Sequence, residues 1–199
     1  MSPKAGTIEI RPVTAERWGD MAELFDPNGA VAGCWCMWWR IPARDFSANA
    51  YDGNRRAMRA IVRQGDVPGL LAYHDGRPIG WVSIAPRGQF TRIERSRVLG
   101  PIDDAKVWSV VCFFIHRTQR GSGVGTALLE AAVELARKRG ARIVEGYPVD
   151  PLGGRASNAG AFTGLEKMFR DAGFKEVERR SASRPIMRKT LTAKRSRSR

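Results

Sequence analysis

The sequence predicts an α/β domain in which strands and helices mix, and three stretches carry that prediction. Val107 to Ile115, VWSVVCFFI, is apolar almost throughout and rich in β-branched and aromatic residues, as a buried central strand is. Residues 68–87, PGLLAYHDGRPIGWVSIAPR, set two apolar runs on either side of Asp75-Gly76-Arg77, which is a hairpin signal. Val124, Leu128, Ala131 and Leu135 recur at steps of three and four and line one face of a helix.

The other elements follow in order. TIEIRPV (7–13) alternates as a short strand, and TAERWGDMAELF (14–25) reads as a helix with Thr14 at its N-cap. GCWCMWWRIPARDF (33–46) is aromatic and irregular, and NRRAMRAIVRQ (54–64) is helical. QFTRIERSRVLGPIDDAK (89–106) is polar and loop-like. ARIVEGYPV (141–149) is a strand, DPLGGRASNAG (150–160) a loop and AFTGLEKMFRDAG (161–173) a helix. FKEVERR (174–180) and RPIMRKTL (184–191) close the chain as two strands. Residues 1–191 are read as one domain and 192–199 as a basic, disordered tail.

At 199 residues and 43% hydrophobic, the chain is long enough to bury a sizeable core. It has no run of 18 apolar residues, and the opening MSPKAGTIEIR lacks the apolar stretch of a signal peptide. A cytoplasmic protein with no membrane contact is therefore expected. Three cysteines (Cys34, Cys36, Cys112) are too few for a disulfide framework, and His74 and His116 lie far from them in sequence. They are read as reduced thiols with no metal. The net charge of +14 favours anionic partners: nucleic acid, phosphorylated cofactors or acidic surfaces.

The helix after the central strand is closed at one end and bare at the other. Arg137, Lys138, Arg139 and Gly140 suit its C-terminus. At its start, Gly121-Ser122-Gly123-Val124-Gly125-Thr126 has no first-turn carboxylate, so free amides and the positive dipole end form an anion site. Arg117 and Arg120 add charge beside it. A dinucleotide turn is one alternative, with Glu145 where a ribose-binding acid is expected. Against it, the third glycine comes one residue early, and His116 to Arg120 separate strand from turn. No Gly-Lys-Ser/Thr follows, which excludes a P-loop.

Arg120-Gly121-Ser122-Gly123-Val124-Gly125 resembles the Gln/Arg-x-x-Gly-x-Gly/Ala signature of the GNAT N-acetyltransferases, and the order of elements from about residue 7 to 191 is similar to that family's. Ala172-Gly173-Phe174 resembles its Gly-Phe after the penultimate helix. The resemblance implies a mixed, mostly antiparallel sheet flanked by helices, with splayed central strands. It implies acetyl-CoA as cosubstrate, its pyrophosphate on the amides of Arg120 to Thr126. Its pantetheine arm would lie on the backbone of Phe113 and Ile115. It implies transfer by direct attack of an amine in a ternary complex, by a monomer or homodimer.

Such chemistry needs a neutral amine, a polarised carbonyl and a proton for the leaving thiolate. Many members supply that proton from a tyrosine four residues before the glycine of Gly-Phe, where this chain has Phe169. Tyr147, Ser157 and Cys112 are the substitutes, each with a structural alternative. Glu145 is the candidate general base, ahead of Glu94. Trp35, Trp38 and Trp39 lie in the region that shapes acceptor pockets in the resembled family, where aromatic faces suit a cationic or aromatic amine. A small-molecule amine is preferred over a protein amine. The rival reading is a non-catalytic, nucleic-acid-binding module on the same fold, served by the basic tail.

Overall fold

The computed structural model describes residues 8–25, 30–154 and 160–192. The basic tail beyond Thr192 and Ser157 therefore lie outside the described residues. Seven strands form one sheet in the order β1-β2-β3-β4-β5-β7-β6. They are β1 (Glu9–Pro12), β2 (Gly69–His74), β3 (Arg77–Pro86), β4 (Trp108–Ile115), β5 (Ile143–Gly146), β6 (Lys175–Arg179) and β7 (Pro185–Thr190). Every neighbouring pair is antiparallel except β4 and β5. The hairpin between β2 and β3 turns on Asp75 and Gly76 alone, both at positive φ (50° and 75°), and Arg77 already pairs with His74.

Helix α5 (Val124–Lys138) crosses from β4 to β5 and covers one face of the sheet. Its buried residues are Val124, Leu128, Leu129, Ala132, Val133 and Ala136. The predicted stripe is thus turned: Ala131 and Leu135 are half-buried at its edge, because a helix lying on a sheet buries a broad face. Gly140 takes φ +82° just past the helix, as a C-terminal cap should. The opposite face of the sheet is covered by α1 (Trp18–Phe25) and α3 (Asp52–Arg63), around Trp35, Leu71, Tyr73 and Trp81.

Three local expectations need correction. Thr14 sits at the N-cap of a 3-10 turn that precedes α1, but its hydroxyl bonds Glu16 Oε2 at 2.5 Å and caps nothing. Two short helices, α2 (Ala43–Ala48) and α4 (Thr91–Glu94), stand inside stretches read as irregular or loop. The helix expected over 161–173 shrinks to α6 (Glu166–Asp171), because Gly164 is at φ +88° and Leu165 is extended.

Strand β4 carries the feature that shapes the site. Ser83 faces Cys112 and Ile84 faces Val110, so Val111 is an extra residue in β4. Val110 and Phe113 then point to the α5 face, while Val111, Cys112 and Phe114 pack on the other. Replacing the fully buried Leu128 by alanine should cost about 2–5 kcal/mol. A fall in the urea midpoint with an unchanged slope would register this, and a change under 1 kcal/mol would mean that the α5 face is not the core.

Candidate active site

Four arrangements meet where β4 and β5 part. The first is the glycine turn. β4 ends at Ile115, a 3-10 turn covers Arg117–Gln119, and Gly121 and Gly123 take φ +80° and +86° before α5 begins. A Cβ built at either glycine would have nothing within 4 Å, so the space over the turn is open. No side chain caps the N-terminus of α5 and no acid stands in its first turn. The amides of Val124, Gly125 and Thr126 consequently have no intrahelical acceptor. Ser122 donates to the Gln119 carbonyl at 2.6 Å and Arg120 Nε to the Ile115 carbonyl at 3.3 Å, which steady the approach to the turn.

The second is the gap itself. β4 and β5 pair only from Trp108, Ser109 and Val110 to Val144, Glu145 and Gly146. Past Val110 the two strands separate. The His116 amide bonds Ile79 of β3, so strand alternation turns the amides of Ile115 and Phe113 toward the gap. The Phe113 amide is nevertheless engaged: it donates to the Phe162 carbonyl at 2.6 Å.

The third is a buried polar network on the face away from α5. Glu145 is 1% exposed, and both its oxygens are occupied. Oε1 accepts from the Tyr147 hydroxyl at 2.6 Å and Oε2 from Arg188 Nε at 2.6 Å. Arg87 Nη1 lies 3.6 Å from Oε1, within ion-pair reach. The Tyr147 hydroxyl also meets Ser109 Oγ at 3.0 Å. Arg188 reaches on to Asp103 through two bonds of 2.6 and 2.9 Å, and Arg87 to Glu94 at 2.9 Å. Burial, then the Glu145 charge, push the Tyr147 phenol well above its ordinary value, so it stays protonated. The Arg188 hydrogen bonds hold the Asp103 carboxyl down at about 2.

The fourth is an aromatic wall. Trp38 is 38% exposed, with the Arg92 guanidinium 3.8 Å above its ring and Phe46 at 5.2 Å. Trp39 stacks on Phe162, with centroids 6.1 Å apart. The Phe162 carbonyl also accepts from the Phe113 amide, which sets this wall beside the gap, and Cys36 Sγ lies 3.5 Å from Cys112 Sγ on β4.

The sequence model of the acetyltransferase (GNAT) family matches residues 35–150, more than half of the chain. The chain belongs to the GNAT family. A relative described as an uncharacterized N-acetyltransferase, from Methanocaldococcus jannaschii, is 33% identical over 179 residues. The match covers 86% of this chain and 62% of that protein, so this chain spans less than two thirds of that relative's length. Two solved structures share the fold at low identity. The PaiA N-acetyltransferase of Thermoplasma acidophilum, in complex with coenzyme A, is 18% identical with a TM-score of 0.53, covering 93% of this chain and 99% of its own. YncA of Salmonella typhimurium, with its cofactor acetyl-CoA, is 16% identical with a TM-score of 0.52, covering 93% of this chain and 94% of its own.

Within this GNAT fold, the sequence-selected residues separate into groups. Arg120 to Thr126 stand together at the open helix end, and Phe113 and Ile115 line the gap. Glu145 and Tyr147 are in direct contact, but a carboxylate with both oxygens bonded does not suit the free general base expected of Glu145. Glu94 is tied to Arg87 in the same way. Trp35, expected on the acceptor side, is instead buried in the core, 2% exposed and stacked on Trp18 at 5.7 Å. Cys112 touches another thiol, and no cysteine is in a disulfide. Among the described residues, no group of three His, Cys, Asp or Glu could hold a metal. Ser109, Arg87, Arg188 and Phe162 were not singled out by the sequence, since nothing local marks them.

Asp103 gives the network a testable pH dependence. Its folded value near 2 lies below the ordinary 3.8, so its stabilising contribution is present above about pH 4 and is lost as pH falls toward 2. Urea unfolding of wild type and Asp103→Asn should therefore differ near pH 6 and converge near pH 2. A difference that persisted at pH 2 would mean that the pair with Arg188 is not the cause.

Proposed function

We propose that this protein transfers an acetyl group from acetyl-CoA to an amine, by direct attack in a ternary complex. The observation that carries the reading is the open, uncapped glycine turn standing at the mouth of the β4–β5 gap. The fit is good at the turn: positive φ at Gly121 and Gly123, and free space above both, suit a backbone cradle for pyrophosphate. The amides of Arg120 to Thr126 would hold the phosphates, and the backbone of Ile115 and Phe113 the pantetheine arm. When bound, acetyl-CoA supplies the activated acetyl thioester.

Trp38 is assigned to the acceptor side, with Trp39 and Arg92, because it is the exposed member of the aromatic wall. An aromatic face of this kind suits a small-molecule amine. Tyr147 is assigned as the proton donor to the departing thiolate. Two observations support this: the phenol is kept protonated, and Tyr147 directly follows Gly146, the last β5 residue paired with β4. Glu145, clamped by Arg188, is then a positioning residue that fixes the Tyr147 hydroxyl.

Thermal unfolding tests the donor site. At 100 times its dissociation constant a ligand stabilises the native state enough to raise the midpoint by roughly 5–11 °C for a chain of this size. Acetyl-CoA and CoA should do so, S-adenosylmethionine and NADH should not, and a folded Gly123→Glu variant should lose the response. No rise with either CoA species would remove the reading and turn attention to nucleic acid. Once an acceptor is found, Tyr147→Phe should lower kcat roughly 10²- to 10⁴-fold, the usual contribution of a general acid, and leave acetyl-CoA affinity intact. An unchanged kcat would rule Tyr147 out.

A further inference from the structure

A strand edge exposed in the interior of a fold must find partners for its amides. Past Val110, β4 finds one within its own chain. Residues 162–166 run into the gap between β4 and the continuation of β5, bonded on both sides. On one side Phe113 donates to the Phe162 carbonyl at 2.6 Å. On the other, Val149 donates to the Gly164 carbonyl and Glu166 to the Val149 carbonyl, both at 2.9 Å, around a parallel bridge between Val149 and Leu165.

This segment is anchored by its side chains as well. The Phe162 ring stacks on Trp39 and Arg184 Nη1 donates to Thr163 Oγ1 at 2.8 Å. Gly164 makes the insertion sterically feasible. It sits at φ +88°, and a Cβ there would come within 2.8 Å of Met168 and Phe169 and 3.2 Å of Phe113.

We propose that residues 162–166 are an internal occupant of the acyl-donor slot, a strap that competes with the pantetheine arm for the Phe113 amide. The proposal rests on the acetyl-CoA reading above. One N–H cannot serve two acceptors at full strength, so the Phe162 carbonyl must leave Phe113 before a donor carbonyl can take its place. The apparent affinity for the donor is then its intrinsic affinity reduced by the fraction of molecules with the strap released. Release also separates Phe162 from Trp39, so arrival of the donor uncovers an aromatic face on the acceptor side.

Loosening the strap without touching the phosphate turn should therefore tighten donor binding. Calorimetric titration of the full chain with CoA should show Phe162→Ala and, separately, Thr163→Val binding more tightly than wild type. The expected gain is roughly 2- to 12-fold for Phe162→Ala, the range an aromatic pair contributes, and smaller for Thr163→Val. Affinity that is unchanged or weaker in both folded variants would overturn the strap. Amide exchange in the ligand-free protein gives an independent readout. The Phe113 amide should exchange several-fold faster in Phe162→Ala than in wild type, while amides in the middle of α5 keep their rates. If wild type failed to bind CoA but Phe113 exchange responded in this way, residues 162–166 would stand as a tether on β4, while the donor reading and the competition built on it would fall. If Phe113 exchange did not respond, the strap would fall whatever CoA does.

Discussion

The organising constraint is that β4 and β5 pair over three residues each and then part. Parallel neighbours in a central position would ordinarily stay bonded along their length, because buried backbone groups need partners. Here the extra residue at Val111 breaks the regular alternation just where the pairing ends. The bulge keeps Phe113 on the α5 face while Cys112 and Phe114 serve the other. A strand that must belong to a sheet on one edge and stay open on its other edge needs such a device. The glycine turn, the polar network and the strap all take their places from that parting.

Burying Glu145 within this arrangement would be expensive for a lone carboxylate. The cost is offset by Arg188 and Tyr147 on its two oxygens and by Arg87 nearby, and Arg188 is in turn held by Asp103 at the surface. The network ties the turn after β3, β4, β5, β7 and the loop before β4 into one unit. The network also decides a protonation state. Tyr147 lies between a carboxylate and the Ser109 hydroxyl, and both burial and the adjacent negative charge oppose loss of its proton.

What could be read from the sequence follows how local the determining interactions are. β4, the β2–β3 hairpin and α5 announce themselves through composition, a two-residue turn and periodicity. The glycine turn is legible because its whole geometry lies within six consecutive residues. The helix 161–173 is misread because its apolar spacing is helical while Gly164 and Leu165 are held otherwise by contacts with Phe113 and Val149. The polar network is invisible for the same reason. Arg188 is 43 positions from Glu145 and 85 from Asp103, distances over which no local pattern can be read. Trp35 and Trp38 look alike in the string CWCMWW, and only the fold separates a core ring from an exposed one.

Phe169 brings these strands of argument together. A tyrosine at this position would put a hydroxyl among Phe113, Phe174 and the β5 backbone at Gly146, where Phe169 is wholly buried. Its ring fills the space that a Gly146 side chain would need: Cε1 and Cζ lie 2.1 and 2.9 Å from where that Cβ would stand. A hydroxyl in such a setting needs a partner, and the surrounding cluster of Val110, Phe113, Val144 and Phe174 is apolar. Phe169 serves as packing there. A phenol stands on the other face of the sheet, at Tyr147, where Ser109 and Glu145 bond it. In the role proposed for Tyr147, the position of its hydroxyl rests on Glu145 and, through it, on Arg188 and Asp103, groups that a tyrosine on α6 would not have needed.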